Sequence, residues 1–106
     1  MLKLVFFVPE THKETVKTLF LNKGLGVMTN YDYCSWETLG TGQFRPLSAS
    51  SPFLGQKNQL ETVEEYRVEM ICSEQTIKAV LNALIDAHPY ETPAYEVQSI
   101  KTLDDF

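Results

Sequence analysis

The sequence predicts a ferredoxin-like α+β fold: β-α-β repeated twice, a four-stranded antiparallel sheet, and two helices on one of its faces. Three observations predict it. A shift of 64 residues places Val16 on Val80, Phe20 on Leu84 and Glu10 on Glu74, so one strand-helix pattern occurs twice. Each copy is followed by a further run with strand composition. The chain has 106 residues, 43% of them hydrophobic and 22% charged, which suits one domain with one core and leaves no room for a second.

Lys3 to Val8 is a short apolar run rich in β-branched and aromatic residues and stopped by Pro9. It reads as a central strand buried on both faces. Thr11 then offers a helix N-cap, with Glu14 three residues on to complete a capping box. Val16, Leu19 and Phe20 follow at helical spacing, and Lys23-Gly24 ends helix one, residues 10–23, with a left-handed stop. Val27 to Tyr33 is the expected second strand. Arg67 to Cys72 is the third, and Ser73 is the expected cap of helix two, whose stripe is Ile77, Val80, Leu81, Leu84 and Ile85. Ala94 to Ile100 closes the sheet. Helices on one face leave the other sheet face open, and a second copy of a short chain covers it most simply. The expected state is a homo-oligomer.

Between the halves lies an inserted hairpin and loop, about 34–59. Cys34 to Thr38 extends the second strand, Gly40-Thr41-Gly42 turns, and Gln43 to Pro46 returns. Residues 48–55 (SASSPFLG) are small and turn-rich, with Phe53 and Leu54 as an apolar anchor. Glu61 to Tyr66 leads into the third strand, its acids on a solvated edge. A plain linker would not carry Trp36, Phe44, Pro46 and Phe53, so this segment packs on the core, clasps a neighbour or builds a site.

Composition excludes several functions. Fourteen Asp and Glu against nine Lys and Arg give a net charge of −5, the wrong sign for a nucleic-acid surface. No apolar run approaches the length of a membrane span, and Leu2 to Val8 lacks the flanks of an export signal, which points to the cytosol. Cys34 and Cys72 then read as reduced thiols. No Cys or His pair has zinc spacing, and no glycine-rich phosphate loop is present.

Two constellations remain. His88 sits at the end of helix two, Pro89 stops that helix and Pro93 stiffens the approach to the last strand. One reading is a rigid connector with Tyr90 and Tyr95 packed on the core or a partner. The other is a small-molecule or metal pocket at a subunit boundary, built from His88, Tyr90, Glu91 and Tyr95. In that reading His88 and Glu91 hold a divalent cation and a neighbouring subunit supplies further ligands. His12 reads as a surface residue. The second constellation is Asp32, Cys34, Glu37 and Arg45. Arg45 either pairs with Glu37 across the hairpin or, with the amides of Gly40 to Gly42, receives an anion. Cys34 has no base beside it that would make it a nucleophile.

Gly40-Thr41-Gly42-Gln43-Phe44-Arg45-Pro46, Ser51-Pro52-Phe53-Leu54-Gly55 and Leu60-Glu61-Thr62-Val63-Glu64-Glu65 together resemble the domain inserted in bacterial NGG-interacting-factor-three-like proteins. His88-Pro89-Tyr90-Glu91-Thr92-Pro93-Ala94-Tyr95-Glu96-Val97 resembles that domain's ending, and Phe7-Val8-Pro9-Glu10 its opening. The resemblance spans nearly the whole chain and implies a stand-alone version of the domain, similar in fold to CutA and PII signalling proteins and trimeric. It does not reach the lobes that hold the family's dinuclear metal centre, and Tyr33 stands where many relatives carry a histidine. The expectation is a cytosolic homo-oligomeric module that senses a ligand or divalent metal. The alternative is an oligomerisation or protein-interaction module without a small ligand, and an enzyme is the third and weakest reading.

Overall fold

Alternation along β1 (Leu2–Val8) sorts the sheet into two faces. Leu2, Leu4, Phe6 and Val8 point one way and are joined in the core by Val68, Met70 and Cys72 of β3 (Glu61–Cys72). The register explains the match, because Leu4 lies opposite Met70 and Phe6 opposite Val68 in an antiparallel pair. Val16 and Phe20 of α1 (Glu10–Asn22) and Val80 and Leu84 of α2 (Ile77–Ala87) cover this layer. All four are fully buried, so the internal repeat marks equivalent core positions. Phe6 and Phe20 meet edge to face with centroids 5.3 Å apart.

The computed structural model describes residues 1–106. β2 (Trp36–Phe44) and β4 (Tyr95–Ser99) complete an antiparallel sheet of order β2-β3-β1-β4, the ferredoxin-like arrangement expected. A 3-10 turn at Leu103–Asp105 follows. No helix is long and apolar enough to cross a membrane.

Several element boundaries differ from expectation. Residues 27–33 are not a strand: they form a turn with a single Met28–Tyr31 bridge, and the second strand is Trp36–Phe44. Gly40-Thr41-Gly42 is not a turn either. It lies within β2, opposite Glu65, Glu64 and Val63 of β3, so the hairpin is the β2–β3 pair and its loop is 45–60. Helix one opens on Pro9 without a side-chain cap; Thr11 lies inside the helix with its Oγ1 2.9 Å from His12 Nδ1. Thr76, not Ser73, precedes helix two, and Ile85 is exposed. Both cysteines are free, with Cys72 buried and Cys34 half-buried.

β3 has twelve residues and β1 pairs with only its last seven, Tyr66 to Cys72. Glu61 to Glu65 pair with β2 alone and project as a two-stranded arm. The molecule measures 48 × 26 × 23 Å with a radius of gyration of 15.1 Å. About 13 Å would suit a compact domain of this length. At the base of the arm, Glu37 on the helix side of β2 takes hydrogen bonds from Lys13 and Lys17 of α1, each at 2.6 Å. Arg45 therefore does not pair with Glu37. The two lysines hold the Glu37 carboxyl below its usual range. Glu37→Gln is expected to lower the melting temperature at neutral pH. A depressed carboxylate stabilises above its unfolded value of 4.5 and loses that contribution as pH falls through its folded value, so wild type and variant converge in acid. Thermal melts at pH 7 and pH 3 check this.

Candidate functional site

Past the end of β1, the arm, the loop after β2 and the connector from α2 to β4 line a partly open cavity of about 570 Å³. That is ample for a small molecule. Phe44, Leu47, Pro52, Phe53 and Val63 give it apolar walls, while Arg45, Glu65, Tyr90 and Glu91 supply polar groups.

The connector is shaped by its own sequence. α2 ends at Ala87, and His88 turns extended (φ −75°, ψ 137°), as a residue before proline must. The His88 ring then folds inward, only 6% exposed. Its Nε2 lies 2.5 Å from the Phe7 carbonyl at the end of β1 and its Nδ1 3.1 Å from the Tyr90 amide. The tautomer follows: Nε2–H donates to the carbonyl and Nδ1 accepts the amide. Burial holds the imidazole below its ordinary range, and the carbonyl bond opposes this only in part. With both nitrogens committed to backbone, the ring orients Tyr90. Ring centroids of His88 and Tyr90 are 4.7 Å apart, and Tyr90 lies 6.2 Å from Phe53, which in turn meets His12 edge-on at 5.8 Å.

Tyr90 O–H reaches the Glu65 carboxylate at 3.4 Å. Burial first, and the Glu65 charge second, push the phenol up to about 12, so it stays protonated and donates. Burial also pushes Glu65 above the usual carboxylate range. Gly42 makes room for this acid: a β-carbon there would come 2.3 Å from Glu65 Oε1. Glu91 accepts the Ser51 amide at 2.9 Å, which ties the loop to the connector.

Of the residues singled out from sequence, Arg45, Gly42, Tyr90 and Glu91 line one cavity, and His88 supports it from beneath. Gly40 lies in β2 and Tyr95 opens β4, both outside the cavity lining. His88 and Glu91, expected to hold a divalent cation, are engaged with backbone amides and a carbonyl. No group of three His, Cys, Asp or Glu side chains gathers anywhere in the chain. Sequence reasoning missed Glu65, set among acids expected on a solvated edge, and gave Phe53 only as an anchor. Tyr33, in the left-handed region at φ 56°, hydrogen-bonds Asn22.

The strand order and the two helices define a ferredoxin-like α+β domain. A CutA PII-like protein of Nostoc sp. PCC 7120 superposes with a TM-score of 0.72, covering 99% of this chain and 88% of its own, though at 17% identity the likeness is one of fold alone. The GTP cyclohydrolase 1 type 2 homolog of Halalkalibacterium halodurans is 43% identical over 95 residues, which is 90% of this chain and 26% of the relative. A Bacillus cereus protein related to NIF3 superposes with a TM-score of 0.81 at 38% identity, over 95% of this chain and 26% of that one. No protein-family model matches. The chain corresponds to a domain of the NIF3-related proteins, and it spans about a quarter of the length of the curated relatives it matches.

Proposed function

We propose that this domain is a ligand-sensing regulatory module of the cytosol that works as a closed homo-oligomer, with the cavity at the base of the arm as its ligand site. The observation that carries the reading is convergence. Arg45, Glu65 and Tyr90 come from three distant segments yet line one apolar-walled space, and few positioned polar groups among apolar walls is how small-molecule sites are built.

Self-association is supported by the arm and by the sheet face away from the helices. On that face Trp36 is 58% exposed, while Lys3, Glu69 and Arg67 form a chain of ion pairs at 3.2 and 3.5 Å. A two-stranded ribbon gains little stability alone, so packing against a neighbour suits it. Three copies is the number that the CutA-like resemblance implies.

Native mass spectrometry of the chain as purified, before any chelator, tests both parts. The expected result is a trimer whose added mass disappears in Tyr90→Ala while the assembly persists. A bare trimer that no small molecule stabilises in a thermal-shift screen would favour an interaction module instead. A monomer would overturn the assembly.

A further inference from the structure

Charge inside the cavity narrows what it can hold, granted that the cavity is a ligand site. Arg45, a solvent-exposed residue on the cavity lining, makes no ion pair and no side-chain hydrogen bond in the chain. Glu65, half-buried, has a single long partner in the Tyr90 hydroxyl at 3.4 Å and no cation. The cavity thus presents one unpaired guanidinium and one unpaired carboxylate among aromatic and aliphatic walls.

Neither charge alone fits a simple ion. A phosphate or other dianion would find one arginine and two carboxylates, Glu65 and Glu91, facing the same space. A plain amine would leave Arg45 unpaired, and a bare metal ion would lack a set of three ligands. We propose that the ligand is a zwitterion with an apolar body, an apolar amino acid or a dipeptide of such residues, its ammonium on Glu65 and its carboxylate on Arg45. Arginine suits a carboxylate because its planar fork matches two oxygens. Tyr90, held by the His88 clip, completes the ammonium end, and Phe44, Phe53 and Val63 receive the side chain. The elevated Glu65 carboxyl agrees with an acid that lacks its cation, since an ammonium placed there would draw it back down.

Isothermal calorimetry on the full chain tests this with L-phenylalanine, L-leucine and L-phenylalanyl-L-leucine as probes. Each is compared with the analogue lacking one charge, the amide at the acid end and the N-acetyl form at the amine end. At least one zwitterion is expected to bind about tenfold or more tightly than either of its neutralised analogues. Arg45→Gln should abolish the preference for acid over amide, and Glu65→Gln the preference for amine over N-acetyl. The wild-type analogue series stands even where a variant misfolds. Equal binding of charged and neutralised forms, or no binding of any zwitterion, overturns the proposal. If a nucleotide or inorganic phosphate binds instead and Arg45→Gln releases it, the zwitterion is wrong and the ligand cavity stands. If no probe of any class binds, both readings fall.

Discussion

His88→Ala is expected to lower the melting temperature by about 10–20 °C, because it leaves two backbone groups without partners and opens a cavity, together about 2–4 kcal/mol. The ring is buried and bridges three parts of the molecule: the end of α2, the Phe7 carbonyl of β1 and the Tyr90 amide of the connector. The pH dependence gives a second reading of the same residue. Burial lowers the folded His88 pKa from the ordinary 6.5. The unfolded chain therefore takes up a proton that the folded chain refuses. The stabilisation is fully present above pH 6.5 and is lost as pH falls from there through the folded value. His88→Ala should flatten that part of the stability curve. Urea melts of both proteins between pH 5 and pH 8 measure it, and an unchanged slope in the variant would remove His88 as its source.

Gly26→Ala is the second large effect. Gly26 is buried with φ +74°, the left-handed region where a side chain alone costs roughly 1–2 kcal/mol. A β-carbon there would lie 2.4 Å from the Cys34 carbonyl oxygen and 2.9 Å from the Cys34 nitrogen. Those atoms cannot swing aside as a side chain would. The Gly26 amide donates to the Ile71 carbonyl at 2.9 Å and its carbonyl accepts the Cys34 amide at 2.8 Å, stitching the path out of α1 to the end of β3. The expected cost is roughly 3 kcal/mol or more, at the severe end for single substitutions. Gly24 supplies the control. It too has positive φ, at 98°, but a β-carbon there meets nothing within 4 Å. Gly24→Ala should lose only the conformational part, so the difference between the two melting temperatures isolates the clash.

What the sequence discloses follows from which residues face a core. β1, α1, the second half of β3 and α2 carry periodic apolar residues because one side of each is buried, and all were legible. β2 was not, since WETLGTGQF is an edge strand exposed along most of its length and has little apolar alternation to read. Its glycines resembled a turn, yet Gly42 serves to admit the Glu65 carboxylate from the facing strand. The exposed run 27–33, with Val27, Met28, Tyr31 and Tyr33, imitated a strand by composition. At the site, His88, Tyr90 and Glu91 stand together in the chain, whereas Glu65 enters only through pairing across 25 residues. Glu37 likewise looked destined for Arg45 within the same segment, and instead found two lysines on a helix more than 19 positions earlier.

The overhang of β3 beyond β1 gives the domain two grades of permanence. Residues Tyr66 to Glu69 of β3 sit between β1 and β2, while Glu61 to Glu65 have β2 on one side only. Opening the outer ribbon breaks far fewer contacts than unfolding the sheet, so it is accessible at a fraction of the global free energy. Phe44, Val63 and Glu65 belong to that outer part, whereas Tyr90 is anchored through His88 to β1. One wall of the cavity is thus fastened to the most protected strand and the opposite wall to the least. A molecule bound between them would protect the ribbon from hydrogen exchange while leaving the core's protection almost unchanged.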